Sequence, residues 1–428
     1  MSLSYFWIFV ILLASGAPVV FALLIGPGLS LAIDGADEFH KAILARLYNG
    51  MDSFPLMAVP FFILAGEVMN AGGVTRSLVA FSQSLIGHVR GGLAQVNILS
   101  SVLFAGLSGS AVADTSALGK MLIPAMEENG YTRRFAAGVT AASSVIGPII
   151  PPSGIMIIYA FVMNVSVAGL FAAGLVPGVL FCGGLMVVTA VLARRRGFPV
   201  ASRKATWRER GDTFFKTLPA LMTPVILLGG ILAGVFTPTE AAAVAAGYAI
   251  IVSLFVLRTL KLKDLPGVFV SAAAQSAVIL MLVGAAVSFA WIITVSETAP
   301  AIAGAISSTT ENVLLLLFLI NLFLFVVGMF LDAGPAILIL GPVLAPIFTS
   351  LGVDPLHFAI VMCVNLTVGL ATPPMGLVLF VASSVSGEKP DAIAVEMAPY
   401  LAVEVAVIFL ITYFPALSLT IPRLLGFA

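Results

Sequence analysis

Ser143-Ser144-Val145-Ile146-Gly147-Pro148-Ile149-Ile150-Pro151-Pro152-Ser153-Gly154 lies without gaps against Asn365-Leu366-Thr367-Val368-Gly369-Leu370-Ala371-Thr372-Pro373-Pro374-Met375-Gly376, and this match decides how the chain is read. The shared frame is V-x-G-x-x-x-P-P-x-G once the valine is allowed to shift by one position. A proline pair flanked by glycines cannot continue an α-helix, because proline has no N–H to donate and its ring clashes with the preceding turn. Each copy therefore predicts a helix that breaks in apolar surroundings. A break frees carbonyls on one side, which suit a small cation, and N–H groups on the other, where the positive helix end suits a carboxylate. One such kink has a purely structural reading, since prolines commonly bend helices. Two matched copies favour a site.

The chain around these copies is apolar from end to end. Of its 428 residues 60% are hydrophobic and 9% charged, whereas a soluble domain carries about a quarter charged residues; the mean hydropathy is +1.15. Runs near the roughly 18 to 20 apolar residues that cross a bilayer recur, for example at 5–25 and 170–193. The expected fold class is therefore an all-α polytopic membrane protein. A net charge of zero gives no reason to expect a nucleic-acid partner, and no Walker A sequence is present, so the chain does not itself hydrolyse ATP. Cys182 and Cys363 sit inside apolar segments, as small packing residues rather than a disulfide framework. The first residues lack the basic region of a secretory signal, so 5–25 is expected to be retained as the first span.

Charge placement gives an orientation. The stretch 194–216 holds Arg194, Arg195, Arg196, Arg203, Lys204, Arg208, Arg210 and Lys216 against Glu209 and Asp212, so it is read as cytoplasmic, with Trp207 as an interfacial anchor on membrane lipid. The clusters Arg76/His88/Arg90, Arg133/Arg134 and Arg258/Lys261/Lys263 fall on the same side. Asp34, Asp37 and Glu38 outweigh Lys41 and Arg46 on the other side, where 297–311 has no Lys or Arg. The N-terminus is expected in the cytoplasm and the C-terminus in the periplasm.

Two stretches read as re-entrant hairpins: 93–126, interrupted at Gly106-Leu107-Ser108-Gly109-Ser110, and 313–348, interrupted from Gly328 to Pro335. Irregular backbone at membrane depth is tolerated where protein or a water-filled cavity satisfies it. The first arm of the second hairpin is long enough to span. The expected organisation is a first inverted repeat over 1–193 (hairpin about 93–126, broken helix about 132–165) and a cytoplasmic basic loop over 194–218. A linking helix plus the second inverted repeat then covers 219–428 (hairpin about 313–348, broken helix about 355–386). Such repeats are a signature of secondary transporters.

Asp114 and Asp332 lie beside the hairpin breaks, where an ionised carboxylate costs several kcal/mol unless paired or solvated; helix capping is the competing role for both. Ser108, Ser110, Thr115, Ser116, Ser143 and Ser144 add hydroxyls near the first break, and Asn365, Thr367 and Thr372 add polar oxygens near the second. Oxygen-rich, weakly charged sites match an alkali cation better than a transition metal, so Na⁺ is the only metal expected and no other cofactor is. No Arg or Lys lies at the centre of a clear span, so an anion would be held by helix N-termini, hydroxyls and co-bound sodium, and the two ligands would favour each other's binding. Three other features are weaker. Thr237-Pro238-Thr239-Glu240 reads as a helix cap, Glu67 as a group near a cytoplasmic helix end, and Gly230 to Gly234 as a small-residue packing motif.

Gly106-Leu107-Ser108-Gly109 resembles the serine motif of rhomboid intramembrane proteases, but His40, His88 and His357 all fall at span ends or in loops, leaving no evident base. A passive channel fits inverted hairpins less well than alternating access does.

The segments Pro60-Phe61-Phe62-Ile63-Leu64-Ala65-Gly66-Glu67-Val68-Met69, Gly106 to Asp114, Gly147 to Ser153, Pro238-Thr239-Glu240-Ala241 and Ala371 to Gly376 together resemble the large, M-type (DctM-like) permease subunit of tripartite ATP-independent periplasmic (TRAP) transporters. The resemblance covers nearly the whole chain. It implies an elevator mechanism in the bacterial inner membrane, a small Q-type membrane subunit and a periplasmic substrate-binding protein as partners, and sodium-coupled import of an organic acid. C4-dicarboxylates are the default substrate, with sialic acid or another carboxylate as the alternative. It further implies one sodium site from Ser108, Ser110, Asp114, Gly147, Ile150 and Pro152 and another from Gly328, Asp332, Gly369, Thr372 and Met375. The substrate is expected against Ser108, Ser144, Pro151, Ser153, Asn365, Thr367 and Pro373.

Overall fold

A computed structural model describes residues 4–36, 39–198, 200, 203–298 and 312–427. Asp37, Glu38 and most of 297–311, part of the acidic face inferred above, lie outside the described residues. The described chain is helical, with a single isolated bridge between Arg90 and Val200. Eight of its helical stretches are long and apolar enough to cross a bilayer. Polar side chains set where the helices begin. Ser110, Thr132, Ser166 and Asp354 accept hydrogen bonds from first-turn N–H groups. Thr206 with Glu209 and Thr237 with Glu240 form full capping boxes, as the sequence around Thr237 leads one to expect.

The chain order places two similar sets of helices around a common centre. After α1 (Ser4–Ala14), α2 (Val19–Ile33), α3 (His40–Met51), α4 (Ala58–Ala71) and α5 (Val74–Ile86) come the arms of the first helix pair, α6 (Gly92–Ser108) and α7 (Ala111–Glu128). The first broken helix follows as α8 (Arg133–Ser144) and α9 (Gly154–Met163), then α10 (Val167–Arg195), α11 (Trp207–Leu232), α12 (Pro238–Ile251) and α13 (Leu265–Val295). The second pair is α14 (Val313–Phe330) and α15 (Ala333–Ser350), and the second broken helix is α16 (Pro355–Gly369) and α17 (Leu377–Ser386). The described chain closes with α18 (Pro390–Tyr413) and α19 (Ala416–Leu424).

The two sets interlock. α7 packs on α17, and α15 packs on α9, so the second arm of each pair covers the far half of the other set's broken helix. Around this centre, α13 lies against α2, α3 and α4, while α11 and α12 pack on each other and on α5 and α4 respectively. In hydrocarbon, water does not drive helices together, so close van der Waals contact through small residues holds such an assembly. One such close backbone approach joins α14 to α16: a Cβ on Gly369 would lie 2.5 Å from Gly328 Cα, a distance that side chains do not reach. Overpacking costs about 1–3 kcal/mol. We therefore expect Gly369→Ala to lower the melting temperature of the detergent-solubilised protein clearly, while Gly154→Ala, which meets nothing within 4 Å, leaves it unchanged. Equal melting curves for the two variants would contradict this packing.

Three sequence expectations are corrected. The breaks of the helix pairs are shorter than read: α6 runs on through Gly106, Leu107 and Ser108, and only Gly109-Ser110 and Leu331-Asp332 are non-helical. Gly106 is helical because its bare face accommodates Pro224 of α11. The basic stretch 194–218 is not one loop. Arg194 and Arg195 form the last turn of α10, favourable at a helix C-terminus, and α11 already starts at Trp207 under its capping box. Trp207 is exposed there with Arg210 over its ring, as an interfacial anchor would be. Gly230 makes room for Phe236 of the following turn and not for a neighbouring helix, and Gly234 faces open space, so this pair is no packing motif.

Candidate functional site

Both proline pairs sit in real interruptions. α8 stops at Ser144 and α9 begins at Gly154; α16 stops at Gly369 and α17 begins at Leu377. Both the Pro151–Pro152 and Pro373–Pro374 peptides are cis. The spacing of 222 residues that relates Ser143 to Asn365 also relates the non-helical pair Gly109-Ser110 to Leu331-Asp332, so the repeat extends to the tips of the helix pairs.

At the first break, turn hydrogen bonds run back to the Ser143, Ser144 and Ile146 carbonyls, while those of Gly147, Ile150 and Pro152 accept none from the described residues. They meet the tip of the first pair. Gly109 adopts φ +58°, open to glycine without cost, and a Cβ there would lie 3.1 Å from the Pro152 oxygen. A Cβ on Gly147 would lie 3.4 Å from the Ser110 carbonyl carbon.

Behind this contact is a buried polar cluster. Asp114 is fully buried; its Oδ1 accepts from Ser101 Oγ at 3.4 Å, and its Oδ2 has no partner. Ser101 continues to Ser143 (2.9 Å), Ser143 donates to Asn97 Oδ1 (3.2 Å), and Asn97 Nδ2 donates to Thr140 (2.6 Å). Ser144 lies 2.7 Å from Thr115 and donates to the Ala141 carbonyl. Ser108 accepts from the Ser110 N–H at 3.4 Å, and the buried Ser153 hydroxyl is unpartnered. Asp114 is not the cap of α7; Ser110 takes that role by accepting from the Ala113 N–H.

The second break is built differently. Asp332 is the N-cap of α15, accepting from the Ala333 N–H at 2.7 Å, and is exposed. The Gly369 and Thr372 carbonyls each accept a turn hydrogen bond, and each keeps a second lone pair. Asn365 donates to Asn321 Oδ1 (2.6 Å) and to the Val361 carbonyl, leaving its buried Oδ1 unpartnered. Asn321 is also linked to Thr412. Thr367 and Thr372 donate back into their own helix. Pro151, Pro152 and Ser153 are buried, whereas Pro373, Pro374 and Met375 are exposed, Met375 by 56%. The two clusters share no hydrogen bond among the described residues, and the structure brings Ser108, Ser110, Asp114, Ser144 and Gly147 together at one and Gly328, Gly369 and Asn365 at the other.

Asn97, Ser101, Thr140, Asn321 and Thr412 were not singled out from sequence. A signal did exist: in each set an asparagine on the first arm binds the matched residue of the broken helix, Asn97 to Ser143 and Asn321 to Asn365. The acids are not equivalent, for Asp332 corresponds to Ser110 and Asp114 to Ala336. No histidine is bonded to Ser108: His357 binds Ser418 and the Thr412 carbonyl, His40 faces the Gly28 carbonyl, and His88 lines a separate pocket with Ser84 and Glu209.

An all-helical membrane protein with two interrupted helices, each lined by polar oxygens and packed against a helix pair, has the architecture of a secondary transporter. The solved YdaH transporter of Alcanivorax borkumensis shares this fold, with a TM-score of 0.64 over 90% of this chain and 89% of that one at 17% identity. The chain belongs to the family of the DctM component of tripartite ATP-independent periplasmic transporters, whose description matches residues 6–417. It is 43% identical over 94% of its length to a putative TRAP transporter large permease protein of Haemophilus influenzae, covering 95% of that protein. It is 39% identical to the C4-dicarboxylate large permease protein DctM of Pseudomonas aeruginosa, over 90% of each chain, and 38% identical to the sialic acid large permease protein SiaM of Vibrio cholerae, over 96% of each. It is thus a multi-pass large permease subunit of a TRAP transporter and not an enzyme.

Proposed function

We propose that the chain is the translocating subunit of a sodium-driven importer of small organic acids, of which C4-dicarboxylates are the first to test. The observation that carries this reading is Asp114: a fully buried carboxylate with one unpartnered oxygen, in a hydroxyl-rich cluster behind the first break, whose Gly147, Ile150 and Pro152 carbonyls accept no hydrogen bond from the described residues. Ser108, Ser110, Asp114, Gly147, Ile150 and Pro152 would hold one Na⁺, and Gly328, Asp332, Gly369, Thr372 and Met375 a second. The acid would lie between the breaks, against Ser108, Ser144, Pro151, Ser153, Asn365, Thr367 and Pro373. Each bound cation offsets the cost of bringing an anion into the bilayer, which couples the two. The interlocked centre would move as one body against the outer helices, in an elevator cycle. A small Q-type subunit and a periplasmic binding protein would complete the assembly in a bacterial inner membrane, with the N-terminus cytoplasmic and the C-terminus periplasmic. The relatives named for C4-dicarboxylates and for sialic acid are nearly equal in identity, so sialic acid is the second acid to test.

The experiment is uptake of labelled succinate and sialic acid into liposomes holding the subunit pair, with the cognate binding protein outside. One acid is expected to accumulate only under an inward sodium gradient. Accumulation unchanged when potassium replaces sodium would remove the ion from the mechanism.

A further inference from the structure

A polar cavity of about 450 Å³ opens beside the first helix pair. Its walls bring together Glu67 and Asn70 of α4, Thr75 of α5, Ser110 at the tip before α7, Lys120 of α7, and Gln275 of α13. Ser110 is the tip residue that touches the first break. Lys120 lies ten residues along α7, about 15 Å at 1.5 Å per residue, so the cavity follows α7 from the candidate site outward.

The charges in this cavity are arranged unequally. Both carboxylate oxygens of Glu67 are engaged, Oε1 by Gln275 Nε2 at 2.9 Å and Oε2 by Ser271 Oγ at 3.2 Å. Lys120 is exposed in the cavity and forms no ion pair or hydrogen bond with any described residue. Thr75, on the adjoining wall, is buried with its hydroxyl unpartnered. An unpaired ammonium in a cavity walled by low-dielectric helices attracts an anion more strongly than it would in bulk water. Glu67 keeps the net charge of the walls near zero, so an anion drawn to Lys120 is not held too tightly to leave.

We propose that this cavity is a second docking site for the transported carboxylate, with Lys120 as its cation, through which the acid passes between the first break and the cytoplasm. The inference rests on the reading of the chain as an organic-acid transporter and goes beyond it by assigning the exit path. Arg76, adjoining Thr75, and Arg133 and Arg134, following the end of α7, put this mouth on the cytoplasmic side by the positive-inside rule.

The test uses the complete transporter in liposomes, with succinate as probe, or sialic acid if that is what the wild type carries. In Lys120→Gln the half-saturating concentration for acid presented on the side opposite the binding protein rises at least tenfold. That for acid delivered by the binding protein shifts less than twofold, and Lys120→Arg restores the wild-type value. A second readout needs no transport. With Cys182 and Cys363 replaced by serine, Ala117→Cys, on the cavity wall with Lys120 retained, is labelled by a membrane-impermeant thiol reagent, and the acid slows the labelling. Unchanged half-saturation on both sides with uptake intact, or labelling indifferent to the acid, overturns the proposal. Failure of the wild type to carry any organic acid would instead strike the transport reading itself.

Discussion

Asp114→Asn is expected to reduce the initial rate of sodium-driven uptake at least a hundredfold, with the protein still folded. Asparagine matches aspartate in shape and keeps an oxygen for the Ser101 hydroxyl, so the hydrogen bond inside the cluster survives. What disappears is the charge. An ionised carboxylate this deep is costly unless something neutralises it, and among the described residues no basic side chain does. A bound Na⁺ with the Gly147, Ile150 and Pro152 carbonyls would. Losing one charge-assisted ligand of a desolvated cation removes about 3 kcal/mol, which is about a hundredfold in binding at roughly 1.4 kcal/mol per tenfold. Uptake measured in liposomes with the partner proteins, alongside a melting curve in detergent, separates loss of function from loss of fold. A variant that keeps more than a tenth of wild-type uptake would mean that Asp114 serves the cluster's packing and not the ion.

Much of this molecule is legible in its sequence because the bilayer restricts the choices. Lipid leaves backbone groups no partner outside a helix, so apolar runs of span length can be read directly as helices. A single proline can sit inside one of these helices, as Pro124 does in α7, but two adjacent prolines flanked by glycines cannot, so Pro151-Pro152 and Pro373-Pro374 announce the two interruptions. Harder to read were the tips. Gly106 looked like part of the break because glycine serves both turns and close packing, and only the position of Pro224 shows which role it plays. The paired asparagines, Asn97 and Asn321, sit in otherwise apolar arms, and their partners are distant in the chain. Lys120 escaped notice for a different reason. The absence of cations was judged from the clear spans, and α7, amphipathic with Pro124 inside it, is not among the helices apolar enough to be one. Glu404 differs, for it lies in a clear span: it is fully buried in mid-α18 with neither carboxylate oxygen bonded.

Asp332 poses the complementary question, because its structural role is visible and its proposed ionic role is not. It caps α15 through the Ala333 N–H, and a cap is worth about 1 kcal/mol whether or not an ion is bound. Asparagine caps a helix as well as aspartate does, but carries no charge. Asp332→Asn should therefore leave the melting curve close to wild type. If the carboxylate also binds sodium, it should raise the half-saturating sodium concentration for uptake at least tenfold. Asp332→Ala should do the same to sodium and also lower stability by about 1 kcal/mol, since the cap goes with the charge. The matching position in the first set is Ser110, an uncharged cap, so capping at this position does not require an acid. Sodium titrations of Asp332→Asn and Asp332→Ser that overlay the wild-type curve would leave Asp332 as a cap alone and assign the second cation entirely to backbone and hydroxyl oxygens.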